Sequence, residues 1–424
     1  MSGICGIQSS DRSRPVSAAD IAAMVRSLAA AAPLEAPTIS LPFAALGVQS
    51  FPGRMAGVAR LRSGGYEFGI ALHGNILNAA ELGAGGESAA GLLDGLLRLY
   101  RNEGLAFARK LRGEFAIAIW DGAQECLRVF TDRFRVHPIF YYLDDDKLVF
   151  GSRMKTILAC PLPLRLTLNP EAIVNVVGSS FVPTPQTIYR EVRKLPPGHC
   201  LSYRRGVPTV EPYWDIDFTR PDERSKIQLA AELRRLFSEA VSLRLGQDRG
   251  CKRVGTFLSG GVDSSTVTGV LTRLTQAGVP CFSIGFDEQQ FNEIQYARIA
   301  AKAFAADHHE YIVTPEDVLK AIPVLLDSFD EPFANASAVP AYFCAKLARE
   351  HGVDVLYAGD GGDELFAGNE RYASQRLFDY YHDIPGPLRN HVIRPVIDAL
   401  ANTTKLPLFI KGQKYIRRAA VPYP

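Results

Sequence analysis

The chain has 424 residues, 47% of them hydrophobic and 22% charged, and its 47 basic and 45 acidic side chains leave a net charge of +2. That length predicts about two to three globular domains with ample core, and the near-balance of charge gives no ground for a nucleic-acid or anionic-membrane partner. No apolar run reaches the roughly 18 residues of a membrane span, and the N-terminus lacks the charged-then-apolar order of a signal peptide. Cysteines at 5, 126, 160, 200, 251, 281 and 344 form no CxxC pair and no zinc spacing, which predicts reduced thiols in a cytoplasmic protein.

The opening Met1–Ile7 reads as a short strand, with Cys5 as a core thiol. Strand-like runs alternate with turns over 65–82 and 111–152. Gly113–Asp121 ends in an Asp-Gly turn, and Leu127–Asp132 answers it as a hairpin partner. Leu92 to Leu99 has helical spacing. The first half is therefore predicted to be stacked antiparallel sheets with helices outside. Pro183, Pro185, Pro196 and Pro197 make 181–198 a connector. Tyr213-Trp214 and the charged run at 220–224 mark a boundary near 215–225, giving domains 1–215 and 216–424.

Beyond the boundary the pattern changes to alternation. Helices are predicted at 226–246, 293–304, 315–327 and 338–350, and strands at 253–258, 281–286, 309–313 and 353–358. This rhythm predicts a doubly wound parallel sheet, so that the chain as a whole is a two-domain α/β protein. Two loops at strand ends carry the chemistry. Ser259-Gly260-Gly261-Val262-Asp263-Ser264-Ser265 passes from strand through two glycines into a helix. Backbone N–H groups and the positive end of the helix dipole then face one spot, which suits phosphate. No lysine lies in this loop, so it is not the Walker type. Asp263 points instead to Mg²⁺ bridging phosphates. The second loop, Gly359-Asp360-Gly361-Gly362-Asp363-Glu364, sets three acids among glycines at the end of the last strand. One carboxylate from each loop can hold the metal, leaving another acid for the substrate.

With both loops in view, the chain resembles asparagine synthetase and its amidotransferase relatives over nearly its whole length. SGGVDSS at 259–265 is the signature of PP-loop ATP pyrophosphatases. Ser283–Phe286, His308-His309-Glu310, Asp330-Glu331-Pro332-Phe333, GDGGDELFAG at 359–368, Asp132–Pro138 and Leu195–His199 follow the family's pattern in order. The resemblance implies an N-terminal-nucleophile (Ntn) type glutaminase followed by a PP-loop synthetase domain. It implies that Leu258 and Ile284 meet the adenine side of ATP through backbone groups and that Ala358 and Gly359 meet its ribose. Ser259, Gly260, Gly261, Asp263, Ser264 and Ser265 would hold the pyrophosphate, Asp263 and Asp363 would ligate Mg²⁺, and Asp360 would act at the reacting centre, where the asparagine-forming enzymes more often carry glutamate.

The first domain departs from that pattern. The family's glutaminase uses an N-terminal cysteine, whereas Cys5 follows four residues and removal of Met1 exposes Ser2. The family's arginine clamp for glutamine is missing from 35–55. Its oxyanion segment appears as His73-Gly74-Asn75, and its glutamine-gripping acid aligns to Leu92, with Asp94 displaced. Cys5, His73, Gly74 and Asn75 are thus expected to be the remains of a dead glutaminase. The family also uses a lysine beyond the equivalent of Tyr415–Arg418; Lys411, Lys414, another subunit or a continuation of the chain are its candidate sources. The resemblance implies an AMP-forming amide ligase acting on aspartate or a related carboxylate, with ammonia or an amine as nitrogen donor and a homodimer among its assembly states. A glutamine-hydrolysing asparagine synthetase, a substrate-amine relative of the lasso-peptide-cyclase or β-lactam-synthetase type, and a non-catalytic scaffold are the alternatives.

Overall fold

The computed structural model describes residues 2–11, 16–28, 36–50, 55–84, 88–219, 222–248, 253–288, 292–366, 368, 378–404 and 406–419. Two antiparallel sheets are built from the first half of the chain. One orders Val192–Lys194, Phe140–Leu143, Lys147–Gly151, Gly3–Ser9, Ala44–Gln49 and Thr38–Ser40. The other orders Val207–Pro212, His199–Arg204, Cys126–Thr131, Gly113–Asp121, Tyr66–Ile76 and Ala56–Ser63. Because side chains alternate between faces along a strand, each sheet contributes to two cores. Ile4, Leu46 and Phe150 of the first sheet meet Ala71, Ala118 and Leu201 of the second in the layer between them. On the outer side of the second sheet, Leu72, Ile117 and Ile119 pack under Leu93, Leu96 and Leu97 of the helix Ala89–Glu103. On the outer side of the first, Cys5 and Ile7 pack under Ile21, Met24 and Val25 of the helix Ala18–Ser27.

This is the expected stack of antiparallel sheets with helices outside, with further helices the sequence pattern did not give, two of them with local start signals. Ala18–Ser27 starts at a capping box, in which Ser17 and Asp20 exchange side-chain and backbone hydrogen bonds. Pro170–Ser179 starts at Asn169 with proline at its first position. The opening strand runs Gly3–Ser9, and Met1 lies outside the described residues. Within the proline-rich connector only Val192–Lys194 is a strand, at a sheet edge, where the proline run allows one.

The second half forms a parallel sheet ordered Asp307–Val313, Pro280–Phe286, Val254–Phe257 and Val355–Tyr357. Both faces are covered. Cys281 packs with Ala297 and Ala301 of the helix Ile294–Phe304, and the next residue, Phe282, packs on the other side with Cys344 and Ala348 of the helix Ala338–Glu350. The order reverses at Val254–Phe257, which has its sequence successor on one side and the last strand on the other. Such a switch point opens a crevice at the carboxyl ends of the strands. Among the described residues no helix is long and apolar enough to cross a membrane, and Cys5, Cys126, Cys160, Cys200, Cys281 and Cys344 are free and buried.

The segment Asp330-Glu331 ties the two halves together. Arg153 Nε donates to Asp330 Oδ2 at 2.6 Å, and Lys194 Nζ lies 2.5 Å from Glu331 Oε2 with both side chains nearly buried. Glu331 also accepts from Ile188 N at 3.0 Å, and Lys194 donates to Val182 O at 2.6 Å. Burial pushes the Lys194 ammonium below its ordinary range, against the pull of Glu331. Removing one member of such a pair leaves the other charged and buried, at a cost of about 3–5 kcal/mol. Glu331→Gln is therefore expected to destabilise the protein by about 3 kcal/mol in urea unfolding, and Lys194→Met combined with Glu331→Gln to recover part of it. A loss within the ~0–1 kcal/mol of a surface pair would show that this contact does not hold the domains.

Candidate functional site

Val254–Phe257 and Val355–Tyr357 pair in parallel, Thr256 opposite Tyr357, so the loops that follow them leave the sheet side by side. The first turns at Gly260, whose φ is +87°. A Cβ there would lie 2.5 Å from Ala297 N in the first turn of the neighbouring helix, so the position requires glycine. Gly261 then caps the helix Val262–Thr275, with Asp263 in its first turn. The serines fix the turn from within: Ser259 Oγ and Ser264 Oγ are 3.0 Å apart, Ser264 Oγ accepts from Ser259 N at 3.2 Å, and Gly261 N donates to Ser259 Oγ at 3.3 Å. Ser265 N donates to Gly261 O at 3.1 Å, the first bond of the helix.

The second loop closes against the first through two glycines. A Cβ on Gly359 would lie 2.8 Å from Asp263 Cβ, and one on Gly362 would fall on the Asp263 carboxylate. Asp263 is thereby wedged between the loops that the sequence reading paired. On one side of this seam lies a cavity of ≈ 510 Å³ lined by Leu258, Ser259, Asp263, Ser264, Ile284 and all of 358–364, so that Asp263, Asp360 and Asp363 face one space. Gly260, Gly261 and Ser265 shape the turn without lining that cavity. The N–H of Leu258 is spent on Phe282 O at 2.9 Å, and its carbonyl accepts from the Ser283 hydroxyl. His308 Nε2 lies 2.7 Å from that hydroxyl, so His308 and Ser283 brace the start of the loop from beneath. The expected backbone contact from Leu258 is thus reduced to what its carbonyl can still accept.

On the other side lies a cavity of ≈ 480 Å³ that shares Asp263 and 358–362 as a wall. Its far end carries Arg244 from the helix Lys226–Asp248 and Asn75 and Glu114 from the first half of the chain. Arg244 forms an ion pair with Glu114, which is 2% exposed. Asn75 Nδ2 donates to the second carboxylate oxygen of Glu114 at 2.9 Å. The sequence reading named Asn75 but neither Glu114 nor Arg244; no local pattern distinguishes them from the charges around them.

The residues expected to be the remains of a glutaminase lie in two places. His73 Nε2 lies 2.8 Å from Ser2 Oγ, and the His73 ring meets His137 edge-on at 4.6 Å. Gly74 has φ +108°, and a Cβ there would strike Glu114 O. Cys5 is not part of this group. It packs among Ile21, Met24 and Val25 on the outer side of the first sheet, where burial pushes its thiol up. Strand alternation sends Ile4 inward and Cys5 outward. Leu92 and Asp94 likewise belong to the outer helix; Leu92 is buried under the second sheet and Asp94 pairs with Arg98 at 3.8 Å. Lys411 and Lys414 sit exposed on the helix Pro407–Ala419, and neither lines either cavity.

Two family models match the chain: "Asparagine synthase" over residues 232–423 and "Glutamine amidotransferase domain" over residues 1–214. Asparagine synthetase [glutamine-hydrolyzing] 1 of Bacillus subtilis (strain 168) is 30% identical over 77% of this chain and 50% of its own length. A putative asparagine synthetase [glutamine-hydrolyzing] 2 of Methanocaldococcus jannaschii is 32% identical over 69% of this chain and 57% of its own. Amidase chyE of Penicillium rubens is 28% identical over 68% of this chain and 45% of its own. The chain spans about half the length of these curated relatives.

The two glycines of the first loop are not equivalent. Gly260→Ala meets backbone at a left-handed φ, a strain on the order of 1–3 kcal/mol, and is expected to weaken nucleotide binding by about tenfold or more. Gly261→Ala meets only Ser259 Oγ, at 3.4 Å, and should weaken it less. A fluorescent-nucleotide titration of both variants checks the order, and the reverse order would refute the turn geometry.

Proposed function

The chain belongs to the asparagine-synthetase-like amidotransferase family, and from that premise we propose that it is an ATP-dependent, AMP-forming amide ligase whose glutaminase half has lost its activity. Residues 1–215 are the degenerate amidotransferase half and 216–424 the synthetase half. The observation that supports this reading best is the Asp263 carboxylate held against Gly362, where both acidic loops line one cavity at the switch point of the parallel sheet.

ATP occupies that cavity with its adenine side toward Leu258 and Ile284 and its ribose at Ala358 and Gly359. The pyrophosphate lies at Ser259, Ser264 and the N-terminus of the helix Val262–Thr275, whose free N–H groups and dipole favour negative charge. Among the described residues no group of three or more His, Cys, Asp or Glu converges on a metal-sized point. Two carboxylates from adjoining loops, Asp263 and Asp363, nevertheless fit Mg²⁺, which takes one or two carboxylates and completes its shell with phosphate and water. When bound it shields the phosphate charges. The substrate carboxylate oxygen attacks the α-phosphorus; the new O–P bond forms as the bond to the bridging oxygen breaks and pyrophosphate leaves. Ammonia or an amine then attacks the acyl carbon, Asp360 takes the N–H proton, and AMP departs with the C–O bond electrons.

The first domain supports a nitrogen source other than glutamine. His73 stands where the family carries its oxyanion asparagine, and loss of one such donor costs about 10²–10³ in rate. A second reading is favoured by one contact only: Ser2 Oγ at 2.8 Å from His73 Nε2 has the geometry of a hydroxyl beside its base. Glutamate release from glutamine separates the two. No release is expected, and no change in ATP chemistry in Cys5→Ala. Release that disappears in Ser2→Ala would establish the second reading.

ATP–pyrophosphate exchange across a panel of carboxylic acids tests the synthetase half. Asp263→Asn and Asp363→Asn are each expected to abolish exchange with the fold intact. Asp360→Asn is expected to keep ATP binding and lose amide formation, while Asp360→Glu shifts activity toward aspartate. Unchanged exchange in both metal-site variants would end the two-loop assignment.

A further inference from the structure

The second cavity, across the seam from the nucleotide site, is set apart by the Asn75, Glu114 and Arg244 that line its far end. Its walls are mostly apolar, with Phe237, Val241, Val267, Tyr357 and Phe366 among them, and its volume is ≈ 480 Å³. Ammonia needs no apolar wall and a small fraction of that space. A cavity of this kind, with few convergent polar groups, takes a molecule with an apolar body.

Charge selects the kind of molecule. Three carboxylates face the cavity, those of Asp263, Asp360 and Glu114, against the single guanidinium of Arg244. Arg244 is itself paired with Glu114, and Asn75 donates to the other oxygen of that carboxylate, so the one cation lining the cavity already faces an acid. The shared wall keeps Asp360 and Asp263, next to the polyanionic phosphates of a bound nucleotide. An anionic guest is repelled there and an ammonium attracted. We propose that this cavity binds the nitrogen donor of the reaction, and that this donor is a primary amine carried on an apolar body rather than ammonia. The inference rests on the ligase reading for its chemistry, but the binding site does not. The amine lies with its nitrogen at Asp360 and its apolar part between Phe237, Val241 and Tyr357. The step adds one proton to the one balanced above: the ammonium loses a proton to water to give the free amine, the N–C bond forms, Asp360 receives the second proton, and AMP leaves with the electrons of the C–O bond.

The experiment compares 2-phenylethylamine, its acid counterpart 3-phenylpropionate and ammonium chloride by ligand-observed NMR on the whole chain, with ATP binding measured on the same samples. Ala240 lines the cavity from an exposed position on its helix, so Ala240→Trp fills the space at little risk to folding, while Ala240→Ser leaves it open. The amine is expected to bind at least tenfold tighter than the acid, to lose at least tenfold in Ala240→Trp, and to keep its affinity in Ala240→Ser. Equal affinity for acid and amine, no amine binding, or unaltered binding in Ala240→Trp would overturn the proposal. Amine binding without ATP binding would instead refute the ligase reading and leave the amine site standing.

Discussion

The constraint on which the rest depends is the close approach of two loop backbones at Asp263. Parallel pairing of Val254–Phe257 with Val355–Tyr357 brings both loops off the sheet at one level. Gly359 and Gly362 then let the second loop fold onto the first, since a Cβ at either would occupy atoms of Asp263. Sheet order alone would give an open crevice. The glycine seam divides that crevice into two cavities, one against the phosphate-type turn and one against the first domain. Asp263, Asp360 and their neighbours thereby form the partition between the two cavities.

The same division brings the first half of the chain into the wall of the second cavity. Its residues Asn75 and Glu114 close the far end of the second cavity, and Arg244 reaches across to them. Gly74, with its left-handed φ against Glu114 O, fixes the spacing of the two strands at that point. Asp330-Glu331 and the cations Arg153 and Lys194 hold the halves together on another side.

What could be read from the sequence divides along the range of the interaction. Alternating strands and helices, the glycine-acid loops and their position at strand ends follow from local pattern, and the parallel sheet carries them where the pattern places them. The helix Ala18–Ser27 was missed although its signal is local, a capping box of Ser17 and Asp20 before apolar positions 21, 24 and 25. Cys5 is the core thiol that its apolar strand implies, and the two-residue period of that strand puts it on the outer face of the sheet. Ser2, a residue with no chemical signature of its own, is the group that meets His73. The Glu114–Arg244 pair was not legible: Glu114 lies in a buried strand of the first half and Arg244 on a long helix of the second, and only the packing of the two halves makes them partners.

The seam also carries an electrostatic cost that bears on how the site operates. Asp263, Asp360, Asp363 and Glu364 line one cavity, and like charges gathered on one wall repel, though water screens the exposed Asp360, Asp363 and Glu364. A sequence chosen for stability alone would replace some of them; local conflict of this sort marks functional positions in natural proteins. The helix N-terminus at Val262 offsets part of the repulsion at Asp263, but nothing in the helix reaches the second loop's acids to the same degree. On the proposed function, a cation and a phosphate chain entering together would each neutralise what the other leaves exposed. The acids and the turn would then be two halves of a single binding event, and the glycines are what allow the halves to touch.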